Sequence, residues 1–167
     1  MTYDWTLYAI LFLALWSAVI GGVFSAFSEF IMAAFKQASP AAGIEAMQQI
    51  NTTVIPTQFV SGILLIPVFG MALAAYATTV FEGAVVATLY LAATVYGSSV
   101  FLLTLAGNVP MNNRLAGLAP ASAEAEAYWE VYARRWTRLN HYRSIGSILT
   151  AGLYIVAAVT LITSGQV

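Results

Sequence analysis

The sequence predicts an all-α membrane protein: an antiparallel four-transmembrane-helix bundle with cytoplasmic helical extensions. Three observations carry that prediction. Of the 167 residues, 60% are hydrophobic and only 8% are charged, against roughly 25% charged in soluble domains, so there is too little polar surface to face water. Four stretches reach the roughly 20 apolar residues that a helix needs to cross a hydrocarbon core about 30 Å thick. Every basic residue then falls on one side of the resulting topology.

The spans cover about 5–35, 54–78, 83–106 and 144–162 of a single domain, 1–167, with connections 36–53 and 107–143. Backbone groups in lipid must be paired within their own segment, and the apolar runs are continuous rather than alternating, so the spans are helices. At 1.5 Å per residue the first is roughly 46 Å long, so it tilts or projects beyond the bilayer. Its opening, "MTYDWTLYAILFLALW", lacks a basic n-region and runs past signal-peptide length, so it reads as a retained anchor. Pro67 falls inside the second span and removes one backbone donor. Pro56 falls near its start, where proline costs little. "FEGA" (81–84) makes the tight turn into the third span. Small residues in "GGVFSAFS", "GMALAAYA" and "AATVYGSS" allow close helix approach.

Lys36, Arg114, Arg134, Arg135, Arg138 and Arg143 share one side, and Asp4 and Glu82 lie on the other. The positive-inside rule puts the longer connections in the cytoplasm and both termini outside the inner (plasma) membrane. A net charge of −1 offers no basic face to nucleic acid. The absence of cysteine excludes disulfides, thiolate metal sites and a cysteine nucleophile. His141 is the single histidine, so one chain cannot build a His-rich metal site.

The connections hold nearly all the polar chemistry. In the first, Ser39 caps, Pro40 suits a first turn, and Ile44, Met47 and Ile50 recur at helical spacing. This is a short amphipathic helix ending at Asn51. In the second, Pro120 and Ser122 open a helix whose first turn carries Glu124 and Glu126, favoured there by the helix dipole. No breaker separates it from the fourth span, so the two form one helix of about 40 residues, roughly 60 Å long. Trp129, Tyr132, Trp136, Asn140 and Arg143 are spaced by three and four and share one face.

Glu29 is the one acid inside an apolar stretch, roughly 10 Å from the basic end of its helix. At that depth an ionisable group faces the bundle interior or a wet cavity, as a proton acceptor or ligand; alternatively it pairs with an arginine or snorkels to the interface. His141 is a candidate base or ligand, or an interfacial histidine bonded to a carbonyl. In "NVPMNNRL" (108–115), Asn108, Asn112 and Asn113 could bind carbonyl or hydroxyl groups of a ligand. The local alternative is that Asn108 caps the third span and Asn112 and Asn113 make turns around Pro110. The aromatic stripe is either a packed face or a pocket wall; its ending in an amide and a guanidinium argues for the pocket. Gln48 and Asn51 belong to the same level.

Four blocks in order, "GVFSAFSEFIM", "AMQQIN", "NVPMNNRL" and "WEVYARRWTRLNHYRS", resemble the motifs of the anthrone-oxygenase-like membrane proteins of bacteria and fungi. The resemblance covers most of the chain. It implies a four-helix membrane protein and, from the characterised fungal members, oxidation of anthrones to anthraquinones by molecular oxygen. No flavin or haem is required by that resemblance, which leaves the cofactor unknown and haem or a single metal open. The motif positions are Asn51, Asn108, Asn112, Trp129, Tyr132, Trp136, Asn140 and Arg143, a substrate-binding set; His141 adjoins a motif asparagine and Glu29 sits where the first block permits an acid. The expected chemistry uses Glu29 or His141 as base and Asn112, Asn140 and Arg143 to hold a developing oxyanion on a hydrophobic phenolic or enolisable molecule. Competing readings are a non-catalytic accessory subunit docking a membrane-complex partner through its aromatic stripe, a homo-oligomer, and a haem- or small-molecule-binding protein. A transporter is disfavoured, because no inverted repeat is present.

Overall fold

The computed structural model describes residues 5–165. Among them there is no strand, and the chain runs through α1 (Trp5–Gln37), α2 (Pro40–Thr53), α3 (Gln58–Ala77), α4 (Ala84–Ala116) and α5 (Ala123–Thr163). All but α2 are long and apolar enough to cross a membrane. Asp4, one of the acids assigned to the far side, lies outside the described residues.

The four long helices close into a ring in which α1 packs on α5, α5 on α4, α4 on α3 and α3 on α1. Each neighbour is antiparallel to the last, as short links require. Two cores result. One fills the bundle with Ile10, Phe24, Ile66, Leu89, Tyr96 and Tyr154 among others. The other lies at the basic end, where α2 and the first half of α5 clamp Met32, Ile44, Met47, Leu115, Trp129, Tyr132 and Trp136. The outward face is a belt of exposed Phe12, Leu15, Val68, Phe69, Leu91, Ile145, Ile155 and Val159. Apolar surface that continuous has its stable solvent in lipid, where every helical N–H is already paired.

Helix ends follow their sequence signals. Ser39 Oγ accepts from the Ala42 N–H at 3.4 Å with Pro40 in the first turn, and Ser122 Oγ accepts from the Ala125 N–H at 3.1 Å. Gly83 turns the chain between α3 and α4 with φ +71°, a conformation that a side chain resists. The long α5 is unbroken over 41 residues, as the lack of breakers predicts.

Three boundaries differ from expectation. The second span begins at Gln58, so Pro56 lies in the preceding turn rather than in the helix. The amphipathic helix α2 continues past Asn51 to Thr53. The third span runs ten residues beyond its expected end, to Ala116. Asn108 therefore caps nothing, and Asn112 and Asn113 are helical rather than turn residues. The helix passes Pro110, which lacks an N–H, by changing hydrogen-bond register in a π turn over Thr104–Asn108.

Close packing of α4 on α5 depends on Gly146. A Cβ there would fall onto Ser99 Oγ and lie 2.6 Å from Ser99 Cβ. Gly146→Ala is therefore expected to destabilise the bundle by about 1–3 kcal/mol through overpacking, read as a lower unfolding temperature in detergent. An unchanged midpoint would mean that the α4–α5 contact is looser than described.

Candidate functional site

The basic half of the bundle encloses a cavity of about 490 Å3 between α1, α2, α3, α4 and α5. Its walls are apolar, with Phe24, Phe27, Phe59, Ile63 and Leu105 prominent; Asn51, Thr104, Asn112, Trp136, Asn140 and Arg143 are among its polar groups, with Gln48, Thr52 and Asn113 toward the basic end. The exposed Leu64 and Leu105 stand at its rim between α3 and α4. The lining residues Thr52, Ile55, Asn113 and Ala116 at the basic end are exposed as well, so the cavity opens both sideways, toward the lipid-facing surface, and at the basic end.

Arg143 is the centre of the polar part. It is 4% exposed. Its Nη2 donates to Asn140 Oδ1 at 2.7 Å and its Nη1 to Thr104 Oγ1 at 3.3 Å. The guanidinium lies over the Phe24 ring, 4.3 Å from its centroid, and 5.2 Å from that of Trp136, so cation–π attraction offsets part of its desolvation. The amide of Asn108, oxygen toward its donors, accepts from Trp136 Nε1 and Arg143 Nη2, each at 3.2 Å. Every partner of the guanidinium is neutral. All six described acids, Glu29, Glu45, Glu82, Glu124, Glu126 and Glu130, are exposed, and none lines the cavity. A buried cation without a counter-ion costs several kcal/mol.

Three π turns frame this arginine. In α1 the turn spans Phe27–Ile31. There Asn140 Nδ2 donates to the Phe24 carbonyl and to Ser28 Oγ, both at 2.6 Å. A side chain that enters the helical ladder in this way takes a carbonyl from its usual donor, and the helix widens to accommodate it. In α4, π turns at Gly97–Leu102 and Thr104–Asn108 bring Thr104 to Arg143 and Asn108 behind it.

Asn112 is fixed from one side. Its Oδ1 accepts from Tyr132 Oη at 2.9 Å and from Trp136 Nε1 at 3.0 Å, and it lines the cavity, so its Nδ2 donor is left for a ligand. Asn51 Nδ2 is buried with no partner and belongs to the same lining. Tyr132 stacks between Trp129 and Trp136, at 5.6 and 6.3 Å. Trp129 packs on Gly43, where a Cβ would come within 2.8 Å of its ring. Gln48 Nε2 donates to the Leu115 and Leu118 carbonyls at 2.8 and 2.9 Å, satisfying carbonyls at the end of α4 and tying α2 to it.

Of the residues singled out in the sequence, Gln48, Asn51, Asn112, Asn113, Trp136, Asn140 and Arg143 meet in the cavity wall. Asn108, Trp129 and Tyr132 are buried behind it and hold it in place. Glu29 and His141 do not join them. Of the two readings open for Glu29, inward-facing or at the interface, its exposure favours the second: Ser28 takes the position facing Asn140, and the next residue falls about 100° around the helix. His141 is also exposed and lies on the other face of α5, in a separate cleft. Thr104, Phe24 and Ser28 were missed. Thr104 had a faint signal, a lone hydroxyl in the run "FLLTLA", but the contact of Asn140 with a main-chain carbonyl had none. Among the described residues no three His, Asp or Glu side chains gather as a metal-ligand set.

No curated protein and no solved structure matches the chain. The family model described as anthrone oxygenase matches residues 55–153, taking in α3, α4 and the part of α5 that carries Trp136, Asn140 and Arg143. That match covers more than half of the sequence, and with its four membrane-spanning helices the chain belongs to the anthrone oxygenase family.

Proposed function

We propose that this protein oxidises a hydrophobic, enolisable phenolic molecule of the anthrone type with molecular oxygen, inside the cavity floored by Arg143. The observation that carries the reading is the buried guanidinium with only neutral partners at the base of an apolar chamber. Such a site is short of one negative charge. A flat aromatic ketone that ionises to its enolate or phenolate supplies that charge on an otherwise apolar body. The sideways mouth suits a substrate that partitions into lipid.

The residues then have distinct tasks. Arg143 stabilises the anion and so favours loss of the substrate's acidic C–H proton; no carboxylate or imidazole lines the cavity, and the proton leaves to water at the mouth. The donors of Asn51 and Asn112 orient the peripheral oxygens. Asn140 and Thr104 hold the guanidinium rigid, so its field is already in place when charge develops. Oxygen then adds to the electron-rich carbon, forming a C–O bond. The resulting hydroperoxide loses water and leaves a carbonyl, so one oxygen atom ends in the quinone and the other in water. The basic end faces the cytoplasm in this reading, under the positive-inside rule.

Substrate-dependent oxygen uptake by the detergent-purified protein tests the proposal. The expected result is one oxygen consumed per quinone formed, without hydrogen peroxide accumulating. No uptake with any enolisable phenol, or stoichiometric peroxide release, would overturn it.

A further inference from the structure

A second concavity lies on the opposite face of α5, between that helix and α1. It encloses about 340 Å3 and is lined by Ser28 and Lys36 of α1 and by Arg134, Thr137, Arg138 and His141 of α5, among others. No carboxylate lines it. Arg134 and Arg138 are four residues apart on one helix, an arrangement in which like charges repel. Lys36 joins them from α1. Among the described residues, none of these three cations has an ion-pair partner. Ser28 Oγ already accepts from Asn140, so its proton is left to donate. Cationic groups, an imidazole and a hydroxyl thus converge with nothing negative among them. Guanidinium forks match the geometry of phosphate oxygens.

The surroundings say where that phosphate comes from. Phe30, Tyr142 and Ile145 lie within about one helical turn of the lining residues Ser28 and His141 on the same two helices and are 61%, 55% and 62% exposed. The cleft therefore sits where the lipid-facing belt gives way to the basic end. A phosphate held there would carry acyl chains directly along the apolar surface below it. Arg135 makes the contrast: it is exposed at the same level yet stands outside the cleft.

We propose that this α1–α5 cleft is a headgroup site for an anionic phospholipid, with Lys36, Arg134 and Arg138 holding the phosphate and His141 and Ser28 donating to it. The site is separate from the substrate cavity and does not depend on the reaction proposed above.

The test uses the full chain in detergent, titrated with mixed micelles of phosphatidylcholine containing phosphatidylglycerol, with phosphatidylcholine alone, and with inorganic phosphate. Bound lipid is counted by native mass spectrometry. Phosphatidylglycerol is expected to be retained selectively. The double variant Arg134→Gln/Arg138→Gln is expected to weaken its binding roughly 30-fold, and Lys36→Gln, on the other helix, about fivefold. Arg135→Gln is expected to bind as the unaltered protein does. All of these side chains are exposed or at a helix end, so the variants keep their fold. Equal retention of the zwitterionic lipid overturns the proposal. An Arg135→Gln loss as large as that of the double variant also overturns it, since it would signify a diffuse surface potential. Binding of inorganic phosphate as tight as that of the lipid would assign the cleft to a soluble anion instead.

Discussion

Replacing Arg143 by methionine is expected to cut turnover of an enolisable substrate by about 10²–10³-fold, the usual cost of removing one preorganised oxyanion donor. The same change is expected to leave the unfolding temperature roughly unchanged, because relief of the guanidinium's desolvation offsets the about 1–3 kcal/mol cost of leaving the buried Asn140 Oδ1 without its donor. A buried cation of this kind opposes folding, and methionine of similar length fills its place without a desolvation penalty. The pairing of these two effects is diagnostic. If the arginine served only to bind helices together, through Asn140 Oδ1 and Thr104 Oγ1, its loss would lower stability and activity together. Arg143→Lys is expected to fall between the two, because an ammonium keeps the charge but cannot reach both acceptors with a planar fork. Activity assays and thermal unfolding on the same preparations separate these outcomes.

Asn112→Ala is expected to act in the opposite way, mainly on stability. Its Oδ1 is the shared acceptor of Tyr132 Oη and Trp136 Nε1. Truncation removes the acceptor of the tyrosine hydroxyl's proton, at about 1–3 kcal/mol, and leaves the indole with only the longer contact to Asn108. The aromatic stack then loses the bond that fixes its angle to the cavity. A clear fall in melting temperature is the expected result. Tyr132→Phe in the same background should restore part of it, because the hydroxyl that lost its acceptor is then gone. No rescue by that second change would show that the two groups do not share the bond.

The most legible feature of the sequence was the stripe from Trp129 to Arg143. Spacing by three and four on a helix outside the most apolar runs gave it a face, and all five residues are buried. The spans were legible because a bilayer demands length and apolarity and little else. The same fact hid the orientation of Glu29. A helix with apolar groups toward both lipid and core has no amphipathic period, so depth can be read from sequence but the face cannot. His141 misled for a related reason: it follows Asn140 directly, and one residue is enough to turn a side chain to the other face of α5. The helical path through "NVPMNN" was obscured by Asn and Pro, which signal turns in water. Here a π turn carries the helix past the proline, and Asn108 is fully buried rather than at a helix end. The residues joining Arg143 to its supports lie 39 and 119 positions away, at Thr104 and Phe24, a convergence set by helix packing rather than by any local pattern.

The charge state of a bound phenol tests the central claim most directly. A hydroxyanthraquinone, product-like and inert to further oxidation, changes its visible absorption when it ionises. Titrated into the protein well below its own pKa in water, it should take on the phenolate spectrum on binding, and it should bind to Arg143→Met only weakly or as the neutral phenol. A probe that stays neutral when bound to the unaltered protein, or becomes anionic in both, would contradict the account.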